Sequence, residues 1–122
     1  MNKLLSHAHP VLKVHNIQDS LDFYKARLGF EVAFSEGVPT DHLILVSKNI
    51  QIHLSENHSP EDSFNTSTIY FVTDDIKLLY EAFKLKGLKF HKDLTRTEDG
   101  RFTFSIKDPD NHLIIFGTAF QV

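Results

Sequence analysis

The amino-acid sequence predicts an α+β fold made of two tandem β-α-β-β-β units, whose strands form curved, mixed sheets around a groove with the helices outside. Three observations predict it. The two halves of the chain repeat one pattern of strand, helix, glycine and strand, with Ile17 matching Ile76 at a spacing of 59 and Gly29 matching Gly87 at 58. Each half holds one segment of helical period. Each of those segments is followed by three short runs of strand character set apart by turn residues. A length of 122 residues is material for a single domain. Within it, unit one covers about residues 8–55, unit two about residues 67–118, and the polar stretch 56–66, with Pro60, links them.

The first strand is Val11-Leu12-Lys13-Val14. The first helix, over residues 16–28, carries Ile17, Leu21, Tyr24 and Leu28 at steps of four, three and four, one apolar stripe at the 3.6 period. Asn16 is its N-cap, and Asp19 adds a carboxylate at the positive end of the helix dipole. Gly29 falls where a left-handed C-terminal cap is needed. Strands over residues 30–35, 42–47 and 50–55 follow, the last two joined by Ser47-Lys48-Asn49. In unit two the strand Ile69-Tyr70-Phe71-Val72 precedes a helix over residues 74–86, capped by Asp74 or Asp75, with Ile76, Leu79, Tyr80 and Phe83 as its stripe and Gly87 at its end. Strands over residues 88–92, 101–107 and 112–118 complete the unit, with Phe102, Phe104 and Ile106 on the core face. Asp108-Pro109-Asp110-Asn111 is a turn, since proline presets its backbone angle and Asn111 tolerates the left-handed position.

Hydrophobic residues at 41% and charged residues at 24% give a globular balance and exclude a disordered or fibrous chain. A net charge of -3 leaves no basic footprint for nucleic acid or an anionic membrane. The chain has no cysteine, which removes disulfides, thiolate metal sites and cysteine nucleophiles together. Residues 1–9 hold only Leu4-Leu5 as an apolar run, far short of a signal segment or membrane span. A soluble, cytoplasmic protein is expected. The five glycines do not cluster into a phosphate loop, and neither Ser20 nor Ser105 has a visible histidine and acid partner.

The motifs His9-Pro10-Val11-Leu12-Lys13-Val14, Ser20-Leu21-Asp22-Phe23-Tyr24 with Leu28-Gly29-Phe30, and Asp108-Pro109-Asp110-Asn111 together resemble the vicinal-oxygen-chelate superfamily. That group holds glyoxalase I, extradiol dioxygenases and the bleomycin and fosfomycin resistance proteins. The resemblance covers about residues 8–118 and implies the fold deduced above. It also implies metal ligands at four repeat-related positions, one on the first and one on the last strand of each unit. By the motifs these are His9 and Thr68, and His53 and Ile115. Glyoxalases ask for histidine or glutamine with glutamate there, and dioxygenases for two histidines and a glutamate. Isoleucine cannot bind a metal and threonine is a poor neutral ligand, so two imidazoles remain where a catalytic ion needs about three protein ligands.

The resemblance is therefore closest to the metal-free, bleomycin-resistance-like branch, whose members bind a drug-sized ligand in a groove, need no cofactor and work as homodimers. It implies drug or toxin sequestration, with groove contacts from His9, Lys13, Gln51, His53, Thr68 and Tyr70. Strand alternation agrees: His9 shares a face with Val11 and Lys13, His53 with Gln51 and Ser55, and Tyr70 with Thr68 and Val72. Each position has a plainer reading, as a strand-end histidine, a surface lysine, a solvated sheet face or, for Tyr70, core packing. The competing functions are a glyoxalase-type lyase or dioxygenase that recruits a metal through His9 and His53, and a ligand-free dimerisation or regulatory module. The other histidines, His42 and His112 among them, have no partner at metal-ligand spacing in the sequence.

Overall fold

Each half of the chain builds its own four-stranded sheet. The computed structural model describes residues 3–57 and 66–119, so His58 and most of the linker over 56–66 lie outside the described residues. In chain order the elements are β1 (Val11–Val14), α1 (Ile17–Ala26), β2 (Glu31–Glu36), β3 (His42–Ser47), β4 (Ile50–Glu56), β5 (Thr68–Val72), α2 (Ile76–Leu85), β6 (Lys92–Arg96), β7 (Phe102–Lys107) and β8 (Leu113–Gly117). The strand orders β1-β4-β3-β2 and β5-β8-β7-β6 repeat one topology. In each sheet the first strand runs parallel to the last, and the remaining pairs are antiparallel. The expected α+β repeat of two β-α-β-β-β units in mixed sheets is the observed one.

Local chemistry sets the helix ends. The Asn16 side chain accepts from the amides of Gln18 and Asp19, and Asp75 from that of Leu78. Gly29 and Gly87 take φ of +78° and +74°, which lets the amides of Phe30 and Leu88 turn back to the carbonyls of Tyr24 and Phe83. Strand alternation then divides the sheets. Leu12, Val14, Leu43, Leu45, Ile52 and Leu54 are buried toward α1, and Phe104, Ile106, Ile114 and Phe116 toward α2. These residues join Ile17, Tyr24, Phe30, Ile76 and Phe83 in one cluster, each large side chain adding about 1.5–3 kcal/mol on burial.

Polar contacts lock unit one to unit two. His112 is fully buried, accepting at Nδ1 from the Ser67 amide at 2.8 Å and donating from Nε2 to the Lys13 carbonyl at 2.6 Å. The 108–111 turn docks on α1: Tyr24 donates to Asp108, and Asp110 accepts from the His15 amide and contacts the His15 ring and the Ser20 hydroxyl. Arg27 and Lys86 exchange side-chain hydrogen bonds with each other's carbonyls.

Two expected boundaries are corrected. The strand expected over residues 88–92 starts only at Lys92 and runs to Arg96, because Leu88 and Phe90 turn into the core while the ladder to β7 slips between Lys92 and Thr95. Glu56, expected in the linker, ends β4, and its carboxylate accepts from the Ile17 amide at 2.8 Å. Asn111 adopts the expected left-handed conformation at φ +65°.

Candidate functional site

The sheet faces turned away from the helices are open. On β1, Leu12 and Val14 are at most 1% exposed while Val11 is 52% exposed, and Lys13 is exposed beside it. The ladder aligns Val11 with His53 and Lys13 with Ser55 on β4, and Ile44 with His53 and His42 with Ser55 on β3. Directly opposed residues share a face. The open face of this first sheet therefore carries Lys13, Ser55 and His42 in one row and Val11, His53 and Ile44 in the next. Gln51, one step along β4 from His53 on the same face, is exposed.

His53 is the centre of this face. Its ring lies 5.7 Å from that of His9, centroid to centroid, and 5.3 Å from that of His42. Its Nδ1 is 3.2 Å from His42 Nε2, so one of the two donates to the other. Partial burial holds the His53 pKa below the usual imidazole value, and repulsion from His42 and His9 adds to the effect. His42 is the residue that sequence reasoning missed. The signal was the β3–β4 hairpin: its register sets His42 diagonally beside His53.

Carboxylates are sparse here. Glu36 opposes His42 at the edge strand β2, and Glu56 is committed to capping α1. Among the described residues no group of three or more His, Cys, Asp or Glu is arranged to hold a metal ion.

The second sheet carries the equivalent face. Tyr70 opposes Ile115 and Thr68 opposes Leu113, so the pair Tyr70 and Ile115 stands where Val11 and His53 stand in the first sheet. Tyr70 is pinned, donating to the Thr118 carbonyl at 2.9 Å and accepting from Arg101 at 3.1 Å, with the guanidinium 5.4 Å above its ring. Asp99 holds Arg101 at 2.8 Å. Gly117 is required beneath it, since a Cβ there would collide with the Tyr70 hydroxyl and with Thr103. Tyr70 thus lies on the open face rather than in the core, and Arg101 and Gly117, which carry no motif, fix it.

The structure brings His9, Lys13, Gln51 and His53 onto one sheet face and Thr68 and Tyr70 onto the other. Among the described residues no hydrogen bond or ring contact links the two sets. Recesses of about 450, 390, 340 and 160 Å³ elsewhere on the chain are lined by other residues. No helix among the described residues is long and apolar enough to cross a membrane.

Comparison with known proteins agrees with this architecture. The family described as the Glyoxalase/Bleomycin resistance protein/Dioxygenase superfamily matches residues 6–116. No curated protein sequence matches. Among solved structures, TioX from Micromonospora sp. ML1 is similar at 14% identity and TM-score 0.77, covering 93% of this chain and 100% of its own. A glyoxalase/bleomycin resistance protein/dioxygenase from Alicyclobacillus acidocaldarius is similar at 25% identity and TM-score 0.74, covering 99% and 96%. A lactoylglutathione lyase from Agrobacterium tumefaciens is similar at 15% identity and TM-score 0.78, covering 96% of each chain. The chain belongs to the glyoxalase/bleomycin resistance protein/dioxygenase superfamily, which points to small-molecule binding or a glyoxalase- or dioxygenase-type role.

Proposed function

We propose that the open sheet faces bind a small organic molecule without a catalytic metal, in the manner of bleomycin-resistance-like proteins that sequester a drug or toxin. The observation that carries this reading is the content of the four repeat-related positions: His9, His53, Thr68 and Ile115. The ladder supports their equivalence, pairing Val11 with His53 in one sheet and Tyr70 with Ile115 in the other. Two imidazoles, a hydroxyl and an aliphatic side chain fall short of a catalytic divalent site. They suit a ligand with apolar surface and a few hydrogen-bonding groups. His9, Lys13, Gln51 and His53 contribute one wall, and Thr68 and Tyr70 the other.

A homodimer completes the groove in this reading. Val11, Phe34, Tyr70 and Val72 are all exposed on the single chain, a load of uncovered apolar surface typical of an interface. A second copy laid against the open faces turns them into walls.

The alternative is a glyoxalase- or dioxygenase-type enzyme. It gains one specific support, the third imidazole that His42 adds beside His53. Thermal-shift titration with bleomycin and other drug-sized compounds in excess chelator separates the two readings. The binding reading expects stabilisation that grows with ligand concentration, is reduced by His53→Ala and Tyr70→Ala, and is indifferent to chelator. Ligand effects that appear only with added metal overturn it. Sedimentation of the free protein tests the dimer.

A further inference from the structure

The geometry points to a second ligand site, an aromatic-lined cavity on the helix side of the sheets that takes a small aromatic molecule bearing a polar head group. This cavity, of about 340 Å³, lies at the seam between the two units and shares none of the six open-face residues argued above. Its volume is within the range of roughly 300–1,000 Å³ usual for small-molecule sites.

The wall identifies the ligand class. Four phenylalanines line it: Phe30 from just before β2, Phe71 from β5, Phe83 from α2 and Phe116 from β8. Their rings stand in a chain: Phe30 to Phe71 at 6.2 Å, Phe71 to Phe116 at 5.7 Å and Phe116 to Phe83 at 5.1 Å, the last pair perpendicular at 90°. These are tilted and edge-to-face geometries in which one more ring at about 4.5–7 Å extends the set favourably. Ile50 and Leu79 close the sides. Water finds few hydrogen-bond partners against the phenylalanine wall, so an apolar ring is favoured there over water.

The rim supplies the polar end. Lys48, held at φ +51° in the β3–β4 turn, and Asp74, just before α2, both border the opening. Among the described residues neither is ion-paired. A ring seated among the phenylalanines therefore has a free cation and a free carboxylate at its outer end, which complements an acid or amine substituent on the ligand. The site does not depend on the open-face reading and stands or falls separately from it.

Methyl-labelled NMR of the full chain, titrated with indole and with indole-3-acetate, tests the site. The expected result is saturable shifts at the methyls of Leu28, Ile50 and Leu79 while Val11 and Val46 on the open face stay unmoved. Indole-3-acetate should bind several-fold tighter than indole, and Lys48→Ala should remove that difference. Leu79→Trp, which fills the cavity, should weaken indole binding by more than about tenfold. The wild-type titration decides the matter should that variant fold poorly. No saturable shift at these methyls with millimolar indole, or shifts centred on Val11 and Val46, overturns the proposal, and equal binding of the two probes overturns the rim's part in it.

Discussion

The Tyr24 hydroxyl donates to a carboxylate oxygen of Asp108 at 2.7 Å, joining the helix of unit one to a turn 84 residues later in unit two. The other Asp108 oxygen accepts from the amides of Asp110 and His112 at 2.9 Å each. One buried carboxylate thus shapes its own turn and docks it on the neighbouring unit. Burial, reinforced by the adjacent carboxylate, pushes the Tyr24 pKa far above its ordinary value and keeps the phenol a donor. Tyr24→Phe leaves a buried acceptor unsatisfied and should cost about 1–3 kcal/mol. Urea denaturation checks this, and an unchanged midpoint would remove Tyr24 from the seam.

His112 holds the same seam from the other side, bridging the Ser67 amide and the Lys13 carbonyl. His112→Ala strips both partners and opens a void, so a loss of at least about 2 kcal/mol is expected. Hydrogen exchange should show β1 and β5 losing protection together. Loss confined to one sheet would mean that the bridge does not couple the units.

Gly117 and Tyr70 form a lock on the open face. Gly117→Ala places a methyl group against the Tyr70 hydroxyl and Thr103, an overpacking expected to cost about 1–3 kcal/mol. Tyr70→Ala in the same chain should recover most of that loss. A double-mutant cycle reads the coupling, and strictly additive effects would contradict the close approach.

Stability should fall on acidification through His53. Its folded pKa lies below the unfolded value of 6.5, so below about pH 6.5 the unfolded state binds more protons than the folded one and unfolding becomes easier. The contribution is complete above that pH and is lost as pH falls toward the folded pKa. Burial is the first cause and His42 the second, so His42→Gln should make the pH dependence shallower without abolishing it. Denaturation curves at pH 7.5 and 5.5 for both proteins give the comparison. Identical slopes would show that His42 does not act on His53.

Local signals in the sequence were enough for the fold. Helical stripes ending in Gly29 and Gly87, alternation along the strands, and the 108–111 turn all act within a few residues, and the structure keeps them. β6 was misplaced because Leu88 and Phe90 look like strand residues but are drawn into the core by α2 and β7. The open face was legible where alternation alone sets it, at Lys13, Gln51, His53, Thr68 and Tyr70. His42 required the hairpin register as well. His112 follows alternation with Ile114 and Phe116, both core residues, but its bridge depends on contacts with Ser67 and Lys13, which lie far from it in sequence. Arg101 over Tyr70 depends on contact between β5 and the start of β7, which no local pattern encodes.

Metal binding tests the central claim most directly. Tag-free protein is dialysed against excess Zn²⁺, Ni²⁺, Mn²⁺ or Fe²⁺, desalted and subjected to elemental analysis, alongside His9→Ala and His53→Ala. The account predicts no ion retained in stoichiometric amount. About one ion held per chain and lost in both variants would contradict it and make the open face the metal centre of an enzyme.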